Sequence, residues 1–96
     1  MTLAEIQRRI AAQRARLGAF GVAELQVFGS AVRGELTPAS DVDFLVTFSG
    51  PVTLERFMGL RFFLEDLLER RVDLVTPRAL SPRLRAAIAG DLRRVA

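Results

Sequence analysis

The sequence predicts an α/β fold, in the α+β sense of a small mixed central sheet with helices packed on it. Three observations predict it. The chain has 96 residues, enough for a single domain, 1–96, with one modest core. Short β-rich runs at 24–28, 41–48 and 72–76 are bounded by glycine or proline, as strands are. Between and around them lie longer stretches with helical spacing and helix-capping residues.

Taken in order, Thr2-Leu-Ala-Glu5 forms a capping box. Ile6, Ile10 and Leu17 follow as one helical stripe, which Gly18 and Gly21 end. Glu24 to Phe28 read as a short strand running into Gly29, and residues 30–35 as a helical turn. Pro38 marks a loop over 36–39. Asp41 to Phe48 alternate at first and then turn wholly apolar, as a strand entering a core does. Gly50-Pro51 breaks it, and Thr53 caps a helix reaching about Arg70. Val72 to Thr76 make another strand, closed by Pro77. Ser81-Pro82 starts a last helix that runs to Gly90. The tail LRRVA reads as an edge strand or a frayed end.

Composition narrows the chemistry. There is no cysteine and no histidine. Thiolate nucleophiles, cysteine metal sites and the commonest general base are therefore excluded. All 14 cations are arginine, so lysine Schiff bases and P-loop lysines are excluded too. The net charge of +3 permits nucleotide binding without demanding it. No run approaches the roughly 20 apolar residues of a membrane span, and no signal-peptide core opens the chain. The expected compartment is the cytoplasm.

Asp41 and Asp43 stand two apart at the mouth of a strand, so they project from one face roughly 6.5–7 Å apart. Such a pair fits a solvated strand end, or a hard cation such as Mg2+ that removes the repulsion. Upstream, Gly29 and Ser30 follow a strand, with Arg33 and Gly34 just after. Glycine admits a phosphate to the backbone, Ser30 adds a hydroxyl, and Arg33 adds a guanidinium fork. Asp73 lies inside RVDLV, where a carboxylate is costly without a partner. If that strand lies beside 41–48, three carboxylates face the same cations, as two-metal phosphoryl chemistry requires.

The stretch GSAVRGELTPASDVDFLV resembles the G-S-x-x-R-G-x5-S-D-x-D motif of minimal nucleotidyltransferases, in the DNA polymerase beta superfamily. The downstream VDLV resembles the strand bearing that family's third carboxylate. The resemblance covers nearly the whole chain; Phe44 stands where an aliphatic residue is usual. It implies the nucleotidyltransferase fold and Mg2+-dependent transfer of AMP from ATP, with two ions expected. It implies that Asp41, Asp43 and Asp73 hold the metals and catalyse. Gly29, Ser30, Arg33, Gly34 and Ser40 then belong to the nucleotide-binding segment. Many minimal members are antitoxins paired with a helical HEPN toxin, and some adenylylate a tyrosine of it. That activity, with a possible complex between the two proteins, is the expected function. The alternatives are a catalytically silent antitoxin acting by binding alone, and transfer to a small molecule. The absence of an acceptor-binding domain argues against the last.

Two surface features need a reading. In residues 53–70, Phe57, Leu60, Leu64, Leu67 and Leu68 share one broad helical face that should cover the sheet. Phe62 falls nearly opposite, with Met58 one turn before. It is either tucked under the first helix or an exposed contact for a partner protein. Arginines 83, 85, 93 and 94 read as a solvated face; no aromatics interleave them, so nucleic acid is not an expected ligand.

Overall fold

The computed structural model describes residues 1–96. A four-stranded sheet has the order β3-β2-β1-β4, with β1 Val22–Phe28, β2 Val42–Phe48, β3 Val72–Val75 and β4 Arg93–Arg94. β1 pairs antiparallel with β2 and with β4, whereas β2 and β3 run parallel. A parallel pair needs a crossover, and α3 (Leu54–Leu68) supplies it. The sheet is thus mixed, as expected. LRRVA is an edge strand: Val95 N–H donates to the Leu25 carbonyl at 2.9 Å, and Leu25 N–H donates to that of Ala96 at 3.0 Å.

The first helix departs from the expectation. The stripe Ile6–Ile10–Leu17 spans two helices, α1 (Leu3–Ala11) and α2 (Arg14–Ala19). Gln13 leaves helical geometry, at φ −115° and ψ 22°, and redirects the chain before α2. All three apolar residues are nevertheless buried. Thr2 caps α1 by accepting the Glu5 N–H, and Thr53 caps α3 by accepting that of Arg56. α3 stops at Leu68, two residues before Arg70, because Glu69 takes a left-handed conformation, φ 54°. α4 (Pro82–Ile88), capped by Ser81, ends two residues before Gly90.

Strand alternation divides the molecule into two unequal layers. Leu25, Val27, Val42, Phe44, Val46, Val72 and Leu74 face one way and pack with Ile6, Ile10, Leu17, Leu60, Leu64 and Leu68. Phe44 is fully buried there, so the unusual aromatic is a core filler. The other face carries only a small cluster, Phe28, Leu45, Leu80 and Ile88. Asp43 and Asp73 alternate with the main-core residues and therefore fall on this thinly covered face. On α3, Phe62 lies opposite the core and is 55% exposed, as is Leu54 at 77%. No helix is long and apolar enough to cross a membrane.

Candidate active site

The site is built where β1, β2 and β3 open toward the thin face. In the parallel register Asp43 lies directly beside Asp73, on neighbouring strands about 4.8 Å apart. Asp73 is exposed and Asp43 half-buried. The cost expected for an aspartate within RVDLV is therefore small, because the strand turns it to solvent. Asp43 bears the electrostatic load: its carboxyl is pushed above the usual 3.8, first by desolvation, then by Asp73 and Asp41, with Arg33 opposing. All three acidic residues thus share one field, and the shift is what like charges in a partly dry site produce.

Gly29 explains the close packing at this point. β1 ends at Phe28, opposite Asp43, and the chain then folds into a short 3-10 turn over Gly29–Ala31. This replaces the longer helical turn expected over 30–35. Gly29 takes φ +74°, and a Cβ there would sit 2.5 Å from Asp43 Oδ2. Only glycine leaves the carboxylate its place. Gly34 also has a positive φ, +71°, but open space lies around it, so its role is to turn the chain.

Three of the other expected residues, Arg33, Ser40 and Asp41, are occupied by contacts within the protein. Arg33 is gripped by two carboxylates, donating from Nε to Glu35 at 2.7 Å and from Nη1 to Asp91 at 2.6 Å. The bond to Glu35, then that to Asp91, raises its pKa above the ordinary arginine value. The Ser40 hydroxyl accepts the Thr37 N–H at 3.0 Å and bonds the Thr37 hydroxyl, closing the 37–40 turn. Asp41 lies just before β2 and pairs through Oδ1 with Arg71 Nε at 3.1 Å. In this arrangement no group of three or more Asp or Glu side chains is set to hold a metal. Asp43 and Asp73 stand together, and Asp41 is engaged by Arg71.

Arg70, Arg71 and Asp91 also border the site, outside the motif. Arg70 donates to the Thr37 carbonyl at 2.8 Å, and Arg71 Nη2 donates to that of Ala39 at 3.2 Å. Together they hold the loop that delivers Asp41. Their position just ahead of VDLV was a legible clue. Asp91 had none, since it lies 58 residues from Arg33 along the chain.

The chain matches the nucleotidyltransferase domain model over residues 7–95. It belongs to that family. Among relatives of this nucleotidyltransferase, the protein adenylyltransferase MntA of Thermococcus cleftensis is 47% identical over 81 residues, 83% of this chain and 82% of the relative. MJ0126 of Methanocaldococcus jannaschii, which carries the same activity in its provisional name, is 34% identical over 93 residues, 95% of each chain. A solved minimal nucleotidyltransferase superposes with TM-score 0.82 at 38% identity, covering 97% of this chain and 95% of the other. A toxin–antitoxin complex with AMP-PNP contains a chain with TM-score 0.73 at 22% identity, covering 94% and 72%, which shows the shared fold.

The larger cavities lie away from the carboxylates. One of about 490 Å³ is lined by Arg14, Leu17, Val22 and Arg94, and one of about 540 Å³ by Val46, Phe48, Pro51 and Arg78. Asp43 and Asp73 instead stand on the lightly covered sheet face, where a large acceptor can approach.

Proposed function

We propose that residues 1–96 act as one nucleotidyltransferase domain that moves AMP from ATP to a protein acceptor. The acceptor is a tyrosine of a HEPN-type toxin, and the protein is that toxin's antitoxin. The observation that carries the chemistry is the Asp43–Asp73 pair, in register and crowded against Gly29. The acceptor class rests on the 47% identity to a protein adenylyltransferase.

The donor set fits Mg2+: hard oxygen ligands, with one carboxylate disfavoured as an isolated anion. Asp43 and Asp73 would hold it, joined by Asp41 once Arg71 lets go. Bound there, Mg2+ would neutralise charge on the attacking and leaving oxygens. The Gly29–Ser30 turn would receive the triphosphate beside Asp43, with Ser30 donating its hydroxyl. Gly34 and Ser40 would shape the flanking loops, and Arg33 would add positive field from its place on Glu35 and Asp91. In the transfer, the tyrosine oxygen bonds to the α-phosphorus while the bond from that phosphorus to the bridging oxygen breaks. Pyrophosphate leaves with the electron pair. The tyrosine proton passes to the exposed Asp73 carboxylate, since the chain has no histidine.

Binding alone is the second reading, favoured by the internal ion pairs that engage Arg33 and Asp41. One experiment separates them. The protein is incubated with ATP and a HEPN-type toxin that it binds, and the toxin is weighed. The transfer reading expects added AMP masses with wild type and almost none with Asp43→Asn. Stoichiometric neutralisation without any mass gain would establish binding alone instead.

A further inference from the structure

Two arginines border the carboxylates, and they are held very differently. Arg33 makes two ion pairs, at 2.6 and 2.7 Å. Arg71 makes one longer ion pair, 3.1 Å to Asp41, and one bond to a loop carbonyl, with its side chain 75% exposed. An exposed pair of this kind is worth little, because water and salt screen it. Asp41 therefore has a counter-ion that can be exchanged at small cost.

We propose that Arg71 is the resident counter-ion of Asp41, displaced when a divalent cation arrives, and that the freed guanidinium then binds the triphosphate. This rests on the nucleotidyl-transfer reading and deepens it. Before metal, Arg71 cancels one of three clustered negative charges. After exchange the cation performs that service, and a guanidinium tethered beside the site faces a polyanion that needs one. Its planar fork matches phosphate oxygens. Arg33 is the less available of the two, since two shorter ion pairs must be given up to release it rather than one. Arg71 is therefore the arginine to meet the nucleotide, a role the sequence motif would give to Arg33.

The exchange has an opposed signature. Arg71→Gln removes both the competitor for Asp41 and the later phosphate ligand. Mn2+ alone, titrated by calorimetry in the absence of nucleotide, should bind about two- to fivefold more tightly to Arg71→Gln than to wild type, the worth of one exposed ion pair. A non-hydrolysable ATP analogue with Mg2+ should bind more weakly to the variant. In an Asp41→Asn background the Mn2+ gain should vanish, because no ion pair is left to exchange. Unchanged Mn2+ affinity in Arg71→Gln, a gain that persists with Asp41→Asn, or nucleotide binding that is equal or tighter would each overturn the proposal. Wild type that binds neither Mn2+ nor nucleotide would overturn the transfer reading as well. Wild type that binds both, with Arg71→Gln indistinguishable from it, overturns this inference alone.

Discussion

Replacing Gly29 by alanine separates two costs that the structure places on one methyl group. The first is conformational. Gly29 sits at φ +74°, and an L side chain in the left-handed region costs about 1–2 kcal/mol. For a chain of this size, each kcal/mol shifts the melting midpoint by roughly 4–8 °C, so Gly29→Ala should lower Tm by about 5–15 °C. The second cost is steric. The new Cβ would lie 2.5 Å from Asp43 Oδ2, with the next nearest atom, Asp43 Cγ, at 3.4 Å. A carboxylate tip can swing aside, so this contact adds little to the loss of stability. It does move a proposed metal ligand by about 1 Å, a displacement that can cost roughly a hundredfold in rate. The assay is thermal melting of Gly29→Ala, Asp43→Ala and the double variant, with turnover of wild type and Gly29→Ala in parallel. Gly29→Ala should cost nearly the same Tm in both backgrounds, because its φ penalty does not depend on Asp43. A variant that melts within a degree of wild type and keeps full turnover would refute the reasoning.

Three further outcomes follow from named contacts. Asp43→Asn should raise Tm at pH 7 in EDTA, because burial and the neighbouring Asp73 and Asp41 hold the folded-state pKa above 3.8. Ionised Asp43 thus opposes folding above that raised pKa. The advantage of the Asn variant should shrink as pH falls toward 3.8; a variant melting lower than wild type at pH 7 would contradict the assignment. Mg-ATP at a hundredfold excess over its Kd should stabilise wild type by about 2.7 kcal/mol, and an unchanged midpoint at millimolar ligand would remove the site as drawn. Phe44→Ala should cost about 3–5 kcal/mol, since Phe44 is fully buried, whereas Phe62→Ser, at a residue 55% exposed, should stay within about 0.5 kcal/mol. Urea melts compare the two, and a large loss at Phe62 would mean that it packs inside.

The sequence by itself determined three of the strands, the long helix between the second and third of them, and the family. Those features are written locally. Period-two alternation put Asp43 on the face opposite Val42 and Phe44, and Thr53 and Ser81 announced the helices they cap. The spacing from Gly29 to Asp43 carried the family. Tertiary structure alone decided the rest, because the deciding contacts join residues distant along the chain. The break at Gln13 left no mark in the stripe of Ile6, Ile10 and Leu17, since both helices bury the same residues. Parallel pairing of β2 with β3 set Asp73 beside Asp43 and turned it to water. Packing added a second reason for Gly29: the sequence suggested room for a phosphate, and the fold also needs room there for Asp43 Oδ2. The engagement of Arg33 by Asp91 and of Asp41 by Arg71 likewise depends on elements that meet only when the sheet is assembled. Periodicity assigns a side chain to a face of its own element, whereas its partner is chosen by how the elements pack.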